Sequence, residues 1–352
     1  MLECDVLVVG AGPAGSVAAA AAAGEGARVL MTEKKQQVGE PVQCAEHIPF
    51  QVAADFSIGG ATVAQSVSTM RTHLPDGEIV NTPARGVILN RQLFDQHLAG
   101  LAVSAGARLL KGVRADSFQA GVAVFVTGSG QMLIRPKVII GADGAASVVR
   151  RWMGLKKNRF VQARQHVLVL SRELDSTEVF FRNWIPGGYG WLFPKGKMAN
   201  VGVGVERRWG TGPRQALSRL IEELRSAGLV KSSRPAAVTG GLIPVGGQQE
   251  LVRGNILLAG DAAGHCHPVT GAGVPNAVFA GRLAGEAAAA AAAGHMGALV
   301  EYEESCRLFL DDSLRRAVSN RKVLEPYWAR DAHGLSKALR KGWIAFDGYY
   351  KN

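Results

Sequence analysis

Cysteine is scarce in this chain: Cys4, Cys44, Cys266 and Cys306 are all that 352 residues contain, and no two stand in C-x-x-C spacing. That pattern excludes a disulfide framework and a structural zinc site and fits a reducing compartment, so a cytoplasmic protein is expected. Long apolar runs are missing too. The stretches Ala18–Ala23 and Ala284–Ala293 are short, alanine-rich, and bounded or broken by glycine or charge, and neither is long enough to cross a bilayer. No basic stretch precedes the first apolar strand, so no signal peptide is expected. Acidic residues are outnumbered, 29 against 40 Lys and Arg, for a net charge of +11. Such a balance suits nucleic acid, an anionic membrane surface or an acidic ligand. No nucleic-acid motif accompanies it and the basic residues form no dense tract, so nucleic acid is not an expected partner.

Glycine, by contrast, is abundant at 44 residues, and its placement carries chemistry. The first 35 residues read strand, turn, helix, strand. Val6–Val9 is a continuous apolar run suited to a central parallel strand. Gly10, Gly12 and Gly15 follow in G-x-G-x-x-G spacing, and a second strand ends at Glu33, 18 residues after Gly15. Gly10 makes the tight turn, Gly12 lets the backbone approach a pyrophosphate, and Gly15 lets the helix pack on the strand. The phosphates gain from the helix N-terminus. Glu33 sits where a carboxylate accepts a ribose diol, with Ala14 and Lys34 as flanking contacts. This unit binds a dinucleotide, and a glutamate there fits FAD or NAD.

Three later segments point to FAD. VIIGADGAASVVRRW (Val138–Trp152) is an apolar strand followed by Gly141, Asp143 and Gly144, with Ser147 and Arg150 opening a helix. A second, GNILLAGDAAGHCHPVTGAGVPNA (Gly254–Ala277), is a strand ending in Gly260 and Asp261, then a loop through Pro268, Gly271 and Gly273 into a helix at Val274. An acid at such a strand end hydrogen-bonds a ribityl chain, and the helix N-terminus beyond it holds partial negative charge on a flavin carbonyl. In VILNRQLFDQHLA, Arg91 is placed to reach a phosphate or the flavin edge.

These motifs, in this order, resemble the FAD-dependent oxidoreductases built like aromatic hydroxylases. Within them, GEPVQCAEHIP (Gly39–Pro49) and GGYGWLFPKG (Gly187–Gly196) followed by ANVGVGVE are similar to the geranylgeranyl reductase family. The resemblance implies non-covalent FAD, an aromatic-walled substrate tunnel facing the flavin, and reduction of carbon-carbon double bonds in a prenyl chain carried by a lipid or quinone. It places Tyr189, Trp191 and Phe193 over the flavin, where the neighbouring glycines are expected to leave room for a flat apolar chain, with Pro268 beside them. Tyr189, Cys44 and His267 are the catalytic candidates, with His265 an alternative proton donor. Cys44 also reads as a small buried hydrophobe, and the aromatics read equally as cross-strand packing. No metal is expected at the His265–His267 stretch. His47 stands where the family usually has glycine, which predicts a different backbone after Glu46.

The expected fold is α/β: a Rossmann-like, three-layer FAD-binding domain with an inserted, mainly β substrate domain and a short helical C-terminal region. The FAD domain is assigned to residues 1–152 and 254–297, the substrate domain to 153–253 and the helical region to 298–352. Within 307–352 basic residues alternate with Tyr327, Trp328, Trp343, Phe346, Tyr349 and Tyr350. That mixture reads either as a peripheral contact with an anionic inner membrane face or as aromatics packed on the main domain. No second G-x-G-x-x-G unit follows a strand, so the reductant is NAD(P)H visiting without its own domain, ferredoxin or quinol. Two rivals share these features: a flavin monooxygenase or halogenase, and a membrane-associated flavoprotein exchanging electrons with a quinone.

Overall fold

The computed structural model describes residues 1–51, 60–328 and 331–351; Arg330, one of the tail's basic residues, lies outside the described residues. Two eight-stranded sheets organise the chain. The first holds β1 (Leu2–Val9), β2 (Val29–Glu33), β6 (Arg108–Lys111), β7 (Arg114–Gln119), β8 (Val122–Thr127), β9 (Gly130–Gly141), β15 (Val252–Arg253) and β16 (Ile256–Leu258). Its spine runs β15-β16-β9-β1-β2-β6, parallel except for β15. Val6 to Val9 are buried throughout, because helices pack on this parallel sheet and Ala115, Ala123 and Phe125 of the β7–β8 hairpin join the same core.

Those helices are α1 (Pro13–Gly24), α2 (Arg91–Ser104) and, after the short α3 (Val149–Trp152), the later α5 (Val274–Ala292). Between α3 and α5 lies α4 (Pro213–Ser226), and α6 (Ala298–Leu324) and α7 (Ala332–Gly342) close the chain. The alanine runs now have a cause. α1 and α5 meet backbone to backbone: a Cβ at Gly281 would stand 2.4 Å from the Ala14 carbonyl oxygen, and one at Gly285 would stand 2.3 Å from that of Ala18. Only small side chains permit that approach.

The second sheet runs β14-β10-β13-β12-β11-β4-β5-β3. Its strands are β3 (His47–Pro49), β4 (Val63–His73), β5 (Ile79–Leu89), β10 (Phe160–Val169), β11 (Ser176–Phe180), β12 (Gly190–Lys195), β13 (Met198–Val205) and β14 (Ala237–Pro244). The expected boundaries therefore need correction. Residues 47–89, assigned to the FAD domain, supply three of the eight strands of the substrate sheet. Motif order along the chain does not reveal this, because β4 reaches its place through a parallel pairing with β11 about a hundred residues later.

One face of this sheet packs on α4 through Leu168, Leu192, Val201, Val203, Leu217 and Leu220. The other turns toward the FAD domain and the C-terminal helices, with Val67, Phe181, Trp191 and Phe193 meeting Trp328, Trp343 and Tyr349. The tail aromatics thus follow the packing alternative: Trp328, Trp343 and Tyr349 are buried, and Trp343 Nε1 donates to Thr72 Oγ1 at 3.3 Å. Tyr350 alone of the six is exposed. No helix among the described residues is long and apolar enough to cross a membrane.

Candidate functional site

The strand-to-helix turn after β1 does what its glycines require. Gly10 adopts φ 104°, and a Cβ there would stand 2.4 Å from the Ala142 carbonyl oxygen. At Gly15 a Cβ would stand 1.8 Å from the Gly10 carbonyl oxygen, so this residue packs the helix against the turn. Gly12 differs: nothing lies within 4 Å of a Cβ built on it. That empty space belongs to a cavity of about 260 Å³ lined by Gly10, Gly12, Glu33, Lys34, Arg91 and Asp143 among others. The Glu33 carboxylate is fixed in place, since Oε2 accepts the Ala11 N–H and Oε1 the Lys35 N–H, each at 3.0 Å.

Asp143 stands at the corner. Its Oδ2 accepts the Val148 and Val149 N–H groups at 2.5 and 3.3 Å, while Oδ1 is buried with no partner. Burial pushes the Asp143 carboxyl pKa up. An orphaned buried acceptor is costly unless a ligand hydroxyl completes it. Beyond it opens a second cavity of about 470 Å³, sharing Gly12, Lys34, Arg91 and Asp143 with the first. Ala14, Asp261, Gly271, Gly273 and Val274 line it from the FAD domain. Gly273 caps α5 without a side-chain bond, leaving that helix end's N–H groups for a ligand. Burial raises the Asp261 pKa to about 6, opposed by Arg91. These residues fit FAD: phosphate cradle, diol acceptor, ribityl acceptor and an uncapped helix end.

Gln165 of β10 and Trp191 of β12 supply the opposite wall, with Tyr189 just before β12 and Cys44 in the loop before β3. The Cys44 loop is tied down by a relay that the sequence reading missed: Gln165 Nε2 donates to the Cys44 carbonyl at 3.1 Å, and Trp191 Nε1 donates to Gln165 Oε1 at 2.9 Å. Period-two alternation on β10, which puts Ala163 and Gln165 on one face, is the signal that would have found it. Glu46 is a second omission. It is 3% exposed, takes φ 74°, and accepts from the Arg91 N–H, Lys195 Nζ and Asn200 Nδ2 at 2.9, 2.8 and 2.7 Å. Cys44 Sγ accepts the Glu46 N–H at 3.2 Å. Arg91 pairs in a fork with Asp95 at 2.9 and 3.0 Å; burial works to lower its pKa, but Asp95 and the Cys44 sulfur raise it.

Tyr189 lines the cavity and donates its hydroxyl to the Thr270 carbonyl, with burial pushing the phenol pKa up. The glycines around it serve the protein rather than a ligand, a correction to the expected role. A Cβ at Gly188 would stand 2.2 Å from the Gly204 carbonyl oxygen, and one at Gly202 the same 2.2 Å from the Trp191 ring, so β13 forms the bed for that indole. Phe193, Pro268 and His267 do not line the cavity. Phe193 packs edge-on against His47, ring centres 5.8 Å apart. The Pro268 carbonyl accepts from Arg321 at 3.2 Å. His267 has both nitrogens engaged, Nε2 with the Tyr349 hydroxyl at 2.9 Å and Nδ1 with Thr270 Oγ1 at 3.0 Å. Burial lowers its pKa to about 4 and that of the fully buried His265 to about 3, which disfavours the imidazolium form of each ring near neutral pH. Among the described residues no group of His, Cys, Asp and Glu is arranged to hold a metal ion.

A bent cleft with phosphate donors at one end and an aromatic wall at the other, laid across a parallel sheet and a mostly antiparallel one, is the ligand site of an FAD-dependent oxidoreductase. Residues 8–66 match an NAD(P)-binding Rossmann-like domain, and residues 160–241 match the geranylgeranyl reductase catalytic domain. A digeranylgeranylglycerophospholipid reductase of Methanothrix thermoacetophila is 35% identical, covering 94% of this chain and 88% of its own. Its counterpart in Methanocaldococcus jannaschii is 33% identical, covering 97% and 92%. The chain belongs to the geranylgeranyl reductase family. A crystal structure of a geranylgeranyl bacteriochlorophyll reductase-like protein from Thermoplasma acidophilum superposes with TM-score 0.85 at 28% identity, covering 97% of both chains. A flavin-dependent brominase superposes with TM-score 0.75 at 18% identity over 98% of this chain and 94% of that one, a likeness of fold alone.

Proposed function

We propose that this protein reduces carbon-carbon double bonds in the geranylgeranyl chains of a glycerophospholipid. The observation that carries the reading is the cavity joining the FAD motifs to Cys44, Tyr189 and Trp191. FAD, once reduced, supplies the hydride. The chain's own residues position the alkene and keep water out: Trp191 and Tyr189 form the wall, and Gln165 holds both Trp191 and the Cys44 loop in register. Of the catalytic candidates, Cys44 is the one that lines the cavity without donating to a protein acceptor. Tyr189 commits its hydroxyl proton to Thr270, and His267 is neutral and engaged on both sides. Cys44 Sγ accepts from the Glu46 N–H and interacts with the Arg91 guanidinium, and among the described residues no hydrogen bond commits its own S–H to a protein acceptor at this cavity wall.

A lipid substrate calls for contact with a membrane surface, and the buried tail aromatics are not available for it. Leu308 and Phe309 on α6, 78% and 64% exposed, are, with Arg315 and Arg316 further along the helix. Flotation with anionic vesicles checks this: Leu308→Asp with Phe309→Asp abolishes binding if they are the contact.

The test of function is the mass of the product after dithionite-reduced enzyme meets a digeranylgeranylglycerophospholipid without oxygen. A gain of two hydrogens per double bond is expected. An unaltered prenyl skeleton, or an oxygen atom gained when the reaction is run in air with NADPH, would overturn the reading.

A further inference from the structure

Beside the flavin arm of the cleft, and sharing Ala145, Ala146 and Leu242 with its lining, lies a further cavity of about 500 Å³. Its walls carry five cations, Arg150, Arg151, Lys157, Arg207 and Arg208, and one carboxylate, Glu206. That carboxylate is already in use. Arg159 takes it in a fork at 2.5 and 2.9 Å, Arg321 approaches at 3.0 Å and Arg208 at 3.5 Å. Arg208 leans away as well, to Glu325 at 3.1 Å. Among the described residues, no ion pair forms at Arg151, Lys157 or Arg207.

Exposed cations without partners are ordinarily just hydrated. What separates this cavity from a solvated surface is its buried part. Arg150 is 4% exposed, yet its guanidinium meets only neutral oxygens: the Lys156 carbonyl at 2.9 Å, the Ala262 carbonyl at 3.2 Å and the Gln249 side chain. These occupy three of the group's five N–H donors and none of its charge. Burial lowers the Arg150 pKa with no acid to oppose it. Asn158, 7% exposed, lines the same cavity, and its Nδ2 is buried with no partner. A buried guanidinium and a buried amide left short of acceptors, in a cleft with a surplus of positive charge, ask for an anion with several oxygens.

We propose that this cavity binds a phosphate group, and that it belongs to a ligand whose other end enters the flavin arm past Ala145, Ala146 and Leu242. The placement rests on the prenyl-lipid reading above. Two ligands of that reaction carry such a group: the glycerophospholipid, through its headgroup phosphate, and a reduced nicotinamide dinucleotide, through its pyrophosphate. Arg and Lys around a concave wall recognise either in the same way, by charge-assisted bonds to phosphate oxygens.

The experiment uses FAD-loaded wild type and the Arg151→Ala/Arg207→Ala variant, chosen because both side chains are exposed and unpaired, so the fold does not depend on them. Calorimetry with inorganic pyrophosphate reads the cavity directly. Binding at least about tenfold weaker in the variant is expected from losing charge-assisted contacts; equal affinity, or none in wild type, overturns the proposal. Turnover then separates the sources. With dithionite as reductant, a lipid bearing the phosphate is compared with the same digeranylgeranylglycerol lacking it. A variant whose kcat/KM preference for the phosphorylated lipid falls at least about tenfold assigns the headgroup. With NADPH as reductant, a similar rise in the NADPH concentration for half-maximal flavin bleaching assigns the dinucleotide. If wild type hydrogenates no prenyl lipid, the functional reading fails while calorimetry and bleaching still decide the cavity.

Discussion

Gly12 and Gly15 stand three residues apart in one motif, and the structure predicts opposite consequences for substituting them. Gly12 has φ −77° and ψ −177°, ordinary extended backbone, and nothing lies within 4 Å of a Cβ placed on it. Gly12→Val therefore leaves the apoprotein nearly as stable as wild type, with a cost of about 1 kcal/mol or less at the helix cap. Its side chain instead fills the cradle over the α1 N-terminus. Losing two charge-assisted bonds to a pyrophosphate, at about 1.5–3 kcal/mol each, weakens FAD by roughly 10²–10⁴-fold. Gly15→Ala acts the other way. Its Cβ would sit 1.8 Å from the Gly10 carbonyl oxygen, so the helix must lift from the sheet, at about 3 kcal/mol or more of apoprotein stability. The assay pairs flavin absorbance per protein after ultrafiltration with denaturant unfolding of the stripped protein. A Gly12→Val protein that retains FAD with wild-type affinity would refute the assignment of this cavity to the phosphates.

Cys44→Ala is expected to lower prenyl reduction by about 10²-fold with FAD content unchanged, the scale of a lost general acid; single-turnover flavin reoxidation by lipid measures it, and a wild-type rate removes Cys44 from the chemistry. Trp191→Ala empties the bed over Gly202 and frees Gln165, so turnover falls with flavin retained, whereas Tyr189→Phe loses one bond to Thr270, worth about 1 kcal/mol. Wild-type kinetics in both would leave them as packing aromatics. His267 gives a pH prediction. Its pKa is lowered from 6.5 to about 4 in the fold, so its contribution is present above 6.5 and is lost as pH falls toward 4. Comparing His267→Gln with wild type in denaturant at about pH 7 and about pH 4.5 should show wild type losing more stability, by up to about 3 kcal/mol; parallel losses would contradict the buried neutral ring.

Local sequence carried the cofactor half of this protein. Gly10, Gly12, Gly15 and Glu33 act through backbone geometry within one strand-turn-helix unit, and such geometry is written in residue spacing. The same holds for Asp143, just past the end of β9 and bonded to the N–H groups of the short helix after it, and for Gly273, which stands directly before the N-terminus of α5. What depended on the long-range fold was hidden. The pairing of β4 with β11 brought β3, β4 and β5 into the substrate sheet, and no local pattern announces a parallel contact across that much chain. Pairing of β12 with β13 opposes Trp191 to Gly202, so glycines that looked like space for a ligand hold an indole. Gln165 became the link between Cys44 and Trp191 only when β10, the Cys44 loop and β12 met, and the tail aromatics became core because sheet two offered them an uncovered apolar face. Spacing along the chain determined the tight turn at Gly10 and the close helix packing at Gly15, because such backbone geometry acts within a few residues. Which side chains face the flavin, and which merely pack behind it, was decided by strand register, where a shift of one residue turns every side chain to the other face.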